Sequence, residues 1–168
     1  QLTQFTDSHS GSITGENRFS LLEALNGGTV STPALTLLSG VQLHLDGTGA
    51  IPLTTIQTAQ LSLLSLSGAA HSYTFSSITS LDGSSVLVGG GATAAFPALT
   101  SYTNAAALTS QVRTFQASGA GSLLDLGHVT SLANGLAFDT QLDVQALAGG
   151  QIDLHSLTQI ADPTLGDV

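Results

Sequence analysis

Two aspartates stand at matched places in the sequence. Asp125 is the second residue of LDLGHVTSL, which starts at Leu124, and Asp153 is the second residue of IDLHSLTQI, which starts at Ile152. If these segments are strands in successive layers, the two carboxylates project outward one above the other, about 5 Å apart. Like charges that close raise one pKa unless a cation or a donor lies between them. The pair is therefore a candidate metal site, with calcium the fitting cation. Calcium takes roughly six to eight oxygens, however, and Gly127, Thr130 and Ser131 add few. His128 and His155 fall near the pair on the same surface, yet zinc wants about three or four convergent ligands. The expectation is a solvated pair and no cofactor, with Asp125 and Asp153 marking where a cation would sit.

A second group of polar residues comes from two inserted stretches, TNAAALTSQ after Tyr102 and ANGLAFDTQ after Leu132. Insertions at one corner of a repeat stack side by side and commonly collect on the binding face. This wall would present Asn104, Asn134, Phe138, Asp139 and Gln141, with Arg113 nearby, as ligand-binding residues. A third feature is a column of outward residues, Thr36, Gln57, Thr79, Thr100, Thr130 and Thr158. Such a column could bind ice if it were paired with a second one on a flat face. The simpler explanation is that β-branched Thr suits strands and hydrogen-bonds its neighbours above and below.

All three readings depend on the elements that place these residues. Six nine-residue segments align, starting at Val30, Ile51, Tyr73, Ala94, Leu124 and Ile152, with starts 21, 22, 21, 30 and 28 residues apart. Positions one, three, six and nine are apolar throughout except at Thr32, and the positions between are almost all small or polar. A spacing of two fits a strand with alternating faces, and the later spacing of three implies a corner. A second apolar pair precedes each of the last five segments: Leu43 and Leu45, Leu64 and Leu66, Val86 and Val88, Phe115 and Ala117, Val144 and Ala146. Glycines follow at 47, 68, 89, 119 and 149, where a corner needs positive φ or a missing Cβ.

Short strands recurring about every 21 residues, without a helical period, predict an all-β fold: a right-handed parallel β-helix of about six rungs. A leucine-rich repeat has a similar period but needs an Asn or Cys ladder and a helical segment, which these units do not display. The chain divides into residues 1–29 as an N-terminal extension, 30–160 as rungs and 161–168 as a C-terminal tail, all one domain. Open edges of a solenoid expose unpaired backbone groups. NRFSLLEALNGG carries Phe19, Leu21, Leu22 and Leu25 in a helix-like pattern, so residues 18–26 are expected to form a short capping helix. At the other edge ADPTLGDV offers only Pro163 and two aspartates, so a homodimer through that edge, or further chain, is expected.

Composition restricts the partners. The 168 residues include 2 Lys plus Arg against 11 Asp plus Glu, a formal charge of −9. No basic surface for nucleic acid or an anionic membrane can be assembled from Arg18 and Arg113. Charged residues make up 8% and hydrophobic ones 42%, the balance of a chain that folds. Without cysteine, disulfides, thiolate metal sites and a Cys nucleophile are excluded. The apolar runs are interrupted too often to span a bilayer. Lacking an initiator Met and a leader pattern, the chain reads as a mature or excised fragment.

The rung pattern over residues 30–160 resembles β-helical modules of large secreted bacterial proteins, including β-solenoid carbohydrate-binding modules that accompany plant-cell-wall hydrolases. The resemblance implies an extracellular, non-catalytic module that binds a neutral polysaccharide such as xylan or glucan along a solenoid face or the insertion wall. It carries over no ligand residue. A structural spacer or adhesin segment is the alternative, and a polysaccharide-degrading enzyme the third. A −9 surface without Lys repels acidic sugars, against lyase chemistry. A glycosidase needs two carboxylates, one of raised pKa, and only Asp125 and Asp153 approach that arrangement. The expectation is therefore not an enzyme.

Overall fold

The computed structural model describes residues 1–8, 20–104, 111–136 and 139–162. Among them the fold is all-β, with no helix. Sixteen strands follow in chain order: β1 (Gln4–Thr6), β2 (Ser20–Ala24), β3 (Leu37–Ser39), β4 (Val41–Leu45), β5 (Thr58–Gln60), β6 (Leu63–Ser67), β7 (Ser72–Thr74) and β8 (Ser85–Gly89). The series continues with β9 (Thr93–Ala95), β10 (Ser101–Thr103), β11 (Val112–Ser118), β12 (Leu123–Asp125), β13 (Ser131–Ala133), β14 (Gln141–Leu147), β15 (Gln151–Asp153) and β16 (Gln159–Ala161).

Every strand pairing is parallel. A six-stranded sheet runs β14-β11-β8-β6-β4-β2, a four-stranded sheet β15-β12-β9-β7, and two three-stranded sheets run β1-β3-β5 and β10-β13-β16. The two short sheets continue one another through Ser80 and its neighbours: Thr58 bridges Ser80, and Gly83 N donates to Thr103 O at 2.9 Å. From β8 onward the chain visits the sheets in fixed rotation, an order compatible with a solenoid. The predicted apolar columns are in register: Leu43 pairs with Leu64, Leu64 with Val86, Val86 with Phe115 and Phe115 with Val144.

Alternation explains the core. In β4, β6 and β11 every second side chain is buried and the others are half-exposed. The inward set, including Leu38, Leu43, Leu64, Val86, Phe115 and Leu132, forms one apolar cluster. Each such side chain stabilises the fold by about 1.5–3 kcal/mol on burial. Aromatics fill the wider layers: Phe75 and Phe96 stack with centroids 4.9 Å apart, while Tyr102 meets Phe115 edge-on at 4.6 Å. Thr32, the one polar residue at an inward segment position, is buried with its hydroxyl unpartnered.

Among the described residues of the 18–26 stretch the predicted capping helix is not present. Ser20–Ala24 form β2, paired in parallel with β4 from Ser20↔Val41 to Ala24↔Leu45. Leu22 and Ala24 point inward, Leu21 and Glu23 outward. Leu21 and Leu22 are compatible with either period, and the unpaired backbone of β4 decides between them, since a strand satisfies it and a helix would not. The Asn26-Gly27 stop signal becomes a turn, with φ of 53° and 79°. Arg18 and Phe19 lie outside the described residues, as do His9 and Pro163. Strands β1 and β2 also carry the pairing upstream of Val30, into the stretch expected to be an extension.

Candidate functional site

Asn104, Asn134 and Asp162 each lie two residues beyond the ninth position of their segments, directly after β10, β13 and β16. Parallel register places them in a column. Asn104 Nδ2 donates to Asn134 Oδ1 at 3.0 Å, and Asn134 Nδ2 donates to Asp162 Oδ1 at 3.1 Å. Both amides also tie down the residues that lead into β14. Asn104 Nδ2 reaches Gln141 O at 3.3 Å, and Asn134 Nδ2 reaches Thr140 O at 2.7 Å. Asn104 is buried, and its Oδ1 has no partner. Asn104 and Asn134 were legible as polar residues of the inserted stretches; their alignment with Asp162 was missed, although the shared offset from the apolar ninth position was available to find it.

Arg113 lies in β11 and points inward, opposite Leu142 of β14. Only 3% of it is exposed. Its Nε donates to Gly83 O, and its Nη1 donates to Gln111 Oε1 at 3.1 Å and Val112 O at 3.2 Å. Burial pushes the guanidinium pKa down, against a smaller opposing effect of Tyr102. Burial likewise pushes the Tyr102 hydroxyl well up, and that hydroxyl donates to Ser84 O at 3.0 Å. Arg113 therefore braces the interior beside the first insertion. Its parity with Phe115 and Ala117, two and four residues on, was the signal for this orientation.

Of the remaining wall residues, Asp139 is exposed with φ of 56°, and Gln141 Nε2 donates to Asp143 Oδ1. Gln145 Nε2 donates to the other oxygen of Asp143 at 3.2 Å. Phe138 lies outside the described residues. The wall thus links Asn104, Asn134 and Gln141, and Arg113 joins them through Gln111, whose carbonyl accepts from Gln141 N at 2.8 Å.

Asp125 and Asp153 are register partners on β12 and β15. Each closes its own turn. Asp125 Oδ1 accepts from Gly127 N at 3.0 Å, and Asp153 Oδ1 accepts from His155 N at 3.0 Å. His155 Nδ1 lies 2.9 Å from the same oxygen. These interactions, led by the His155 side chain, hold the Asp153 carboxyl below its usual range. The imidazole covers Gly127, where an added Cβ would stand 2.4 Å from the ring. His128 is exposed. Among the described residues no three His, Asp or Glu side chains gather as metal ligands.

The threonine column is a backbone-bonded ladder. Thr130 Oγ1 donates to Thr100 O at 3.1 Å, and Thr158 Oγ1 to Thr130 O at 3.0 Å. Thr36 Oγ1 donates to Thr3 O at 3.2 Å, which extends the column one strand toward the N-terminus. Beside it on the same face run the outward residues of β1, β3, β5, β10, β13 and β16, mostly Ser, Thr and Gln. Tyr73, Phe75, Phe96, Tyr102 and Phe115 are buried, so none offers a platform to a sugar ring. No family model, no curated protein and no solved structure matches the chain.

Proposed function

We propose that the chain is a run of turns of one right-handed parallel β-helix that serves a large extracellular protein as a rigid, non-catalytic structural segment. Right-handedness follows from the near-universal hand of parallel crossover connections. The observation that supports the structural role is the use made of the polar side chains. Asn104, Arg113, Asn134, Asp153 and the column threonines spend donors or acceptors on neighbouring turns and on backbone within the chain. Groups committed this way rigidify a coil and have less left for a ligand. Each turn would add about 4.8 Å of length.

A second reading, binding of a neutral polysaccharide along the Thr, Ser and Gln face, is favoured by one observation: Thr79, Thr100, Ser101, Thr103, Thr130 and Thr158 are all exposed on that face. Affinity gel electrophoresis against xylan, mixed-linkage glucan and mannan separates the two. A structural segment migrates unretarded in every gel. Retardation in one of them, reversed by Ser101→Arg on that face, would replace the structural reading with the binding one.

A further inference from the structure

Two of the four asparagines, Asn26 and Asn134, precede a glycine. In that dipeptide the backbone nitrogen of the second residue reaches the side-chain amide carbon of the first most easily, because glycine sets no Cβ in the way. The attack needs an amide free to turn toward that nitrogen. The fold gives the two sites opposite surroundings.

Asn134 is held on every side. Its Nδ2 donates to Thr140 O at 2.7 Å and to Asp162 Oδ1 at 3.1 Å, and its Oδ1 accepts from Asn104 Nδ2 at 3.0 Å. Gly135 is buried, and a Cβ on it would collide with Asn104 O. Neither the amide nor the Gly135 nitrogen can shift without breaking the column that joins β10, β13 and Asp162.

Asn26 is not held in this way. It and Gly27 are exposed, and the space around Gly27 is open. Among the described residues no hydrogen bond restrains the Asn26 side chain; its backbone N donates to Asp46 Oδ2 at 3.3 Å. Positive φ at both residues, 53° and 79°, with Gly28 N donating to Leu25 O at 2.9 Å, gives the pattern of a type I′ turn. One exposed bond, to Thr48 Oγ1 at 3.1 Å, engages the Gly27 nitrogen.

We propose that Asn26-Gly27 is a site of spontaneous covalent modification, at which the turn after β2 converts to aspartate and isoaspartate while Asn134-Gly135 stays intact. The Gly27 nitrogen gives its proton to solvent base and attacks Asn26 Cγ. The new C–N bond closes a succinimide ring, the Cγ–Nδ2 bond breaks, and Nδ2 leaves as ammonia with a proton from water. Water then adds to one imide carbonyl and that carbonyl's bond to the Gly27 nitrogen breaks. Opening at Cγ leaves aspartate; opening at the backbone carbonyl leaves isoaspartate, with the chain running through the side-chain carboxyl. Overall water enters and ammonia leaves, without electron transfer. Either product adds a carboxylate to the turn beside Asp46, and like charges there oppose each other. Isoaspartate also lengthens the backbone between Leu25 and Gly28. Both changes loosen the bonds that follow, Ala50 N to Gly28 O at 2.9 Å and Val30 N to Ala50 O at 3.0 Å.

Peptide mapping by mass spectrometry, after prolonged incubation of the whole chain in mildly alkaline buffer, tests this. In the folded chain the Asn26 peptide should exchange the mass of NH2 for that of OH and split into two chromatographic species, about tenfold or more faster than the Asn134 peptide. In urea the protecting bonds are gone, and the two peptides should react at similar rates. Gly27→Ala, folded or not, should slow the Asn26 reaction by about tenfold or more. The aged chain should exchange the Val30 and Ala50 amides faster than the fresh chain, with β6 unchanged. The proposal is overturned if Asn134 reacts as fast as Asn26 in the folded chain, if Asn26 reacts only in urea, or if the ratio of rates is the same in urea. It is equally overturned if Gly27→Ala reacts at the wild-type rate, or if aged and fresh chains exchange those amides alike.

Discussion

Thr32 and Asp46 show how individual polar groups act on stability here. Thr32 is 6% exposed with an unpartnered Oγ1. Thr32→Val removes a buried hydroxyl that makes no bond and keeps the shape, so it should stabilise the chain by about 1 kcal/mol in urea denaturation. Asn134→Ala should do the opposite: it strips three side-chain hydrogen bonds and leaves the Asn104 amide with Gln141 O alone, at a cost of about 1–3 kcal/mol. Asp46 caps a turn, its carboxylate accepting from Thr48 Oγ1 at 2.7 Å and Thr48 N at 2.8 Å. These bonds lower its pKa from 3.8 to about 2. A depressed folded-state pKa contributes stability above the ordinary value and loses it as pH falls toward the folded one. Stability should therefore drop between pH 3.8 and about 2, and Asp46→Asn should flatten that part of the pH profile. Not every residue-level role was readable in advance. The alternation that buries Leu43 and Phe115 is written in their spacing, whereas Arg113 was grouped with the insertion wall by its neighbourhood alone. Its parity with Phe115 is what foretells its burial.

Among elements, the corners are most sensitive to substitution. Gly47 and Gly68 lie against each other, with φ of 85° and 128°. A Cβ on Gly68 would stand 2.7 Å from Asp46 O and from Gly47 Cα. Gly27 has φ of 79° but open space around it. Gly27→Ala should therefore cost only the left-handed backbone penalty, about 1 kcal/mol, while Gly68→Ala should cost at least twice as much, both read by thermal melts. The spacing of Gly47 and Gly68 foretold such corners, although at the third one the positive φ falls on Gly90 and Gly91 instead of Gly89. The helix expected over residues 18–26 was misread for a definable reason. Leu21, Leu22 and Leu25 satisfy a 3.6-residue period locally, but Val41–Leu45 present a ladder of backbone groups that only another strand can pair. That demand is tertiary and leaves no mark in the segment itself.

At the scale of the molecule, the central claim is that successive units lie in parallel register, even where they are lengthened by insertions. Ser101 is placed beside Ser131 although 30 residues separate them, so the strands stay aligned across the insertion. Register of this kind was legible from the apolar columns. The use of the inserted polar residues was not, because hydrogen bonds to backbone leave no periodic trace. The cysteine-free chain makes a direct test available. Parallel neighbours sit about 4.8 Å apart, within the Cα separation a disulfide spans. In S101C/S131C, mild oxidation should convert the folded protein to a species two hydrogens lighter that resists alkylation and melts at a higher temperature. If both thiols remain free and alkylatable in the folded chain, the strands are not aligned across the insertion and the stacked-unit account is wrong.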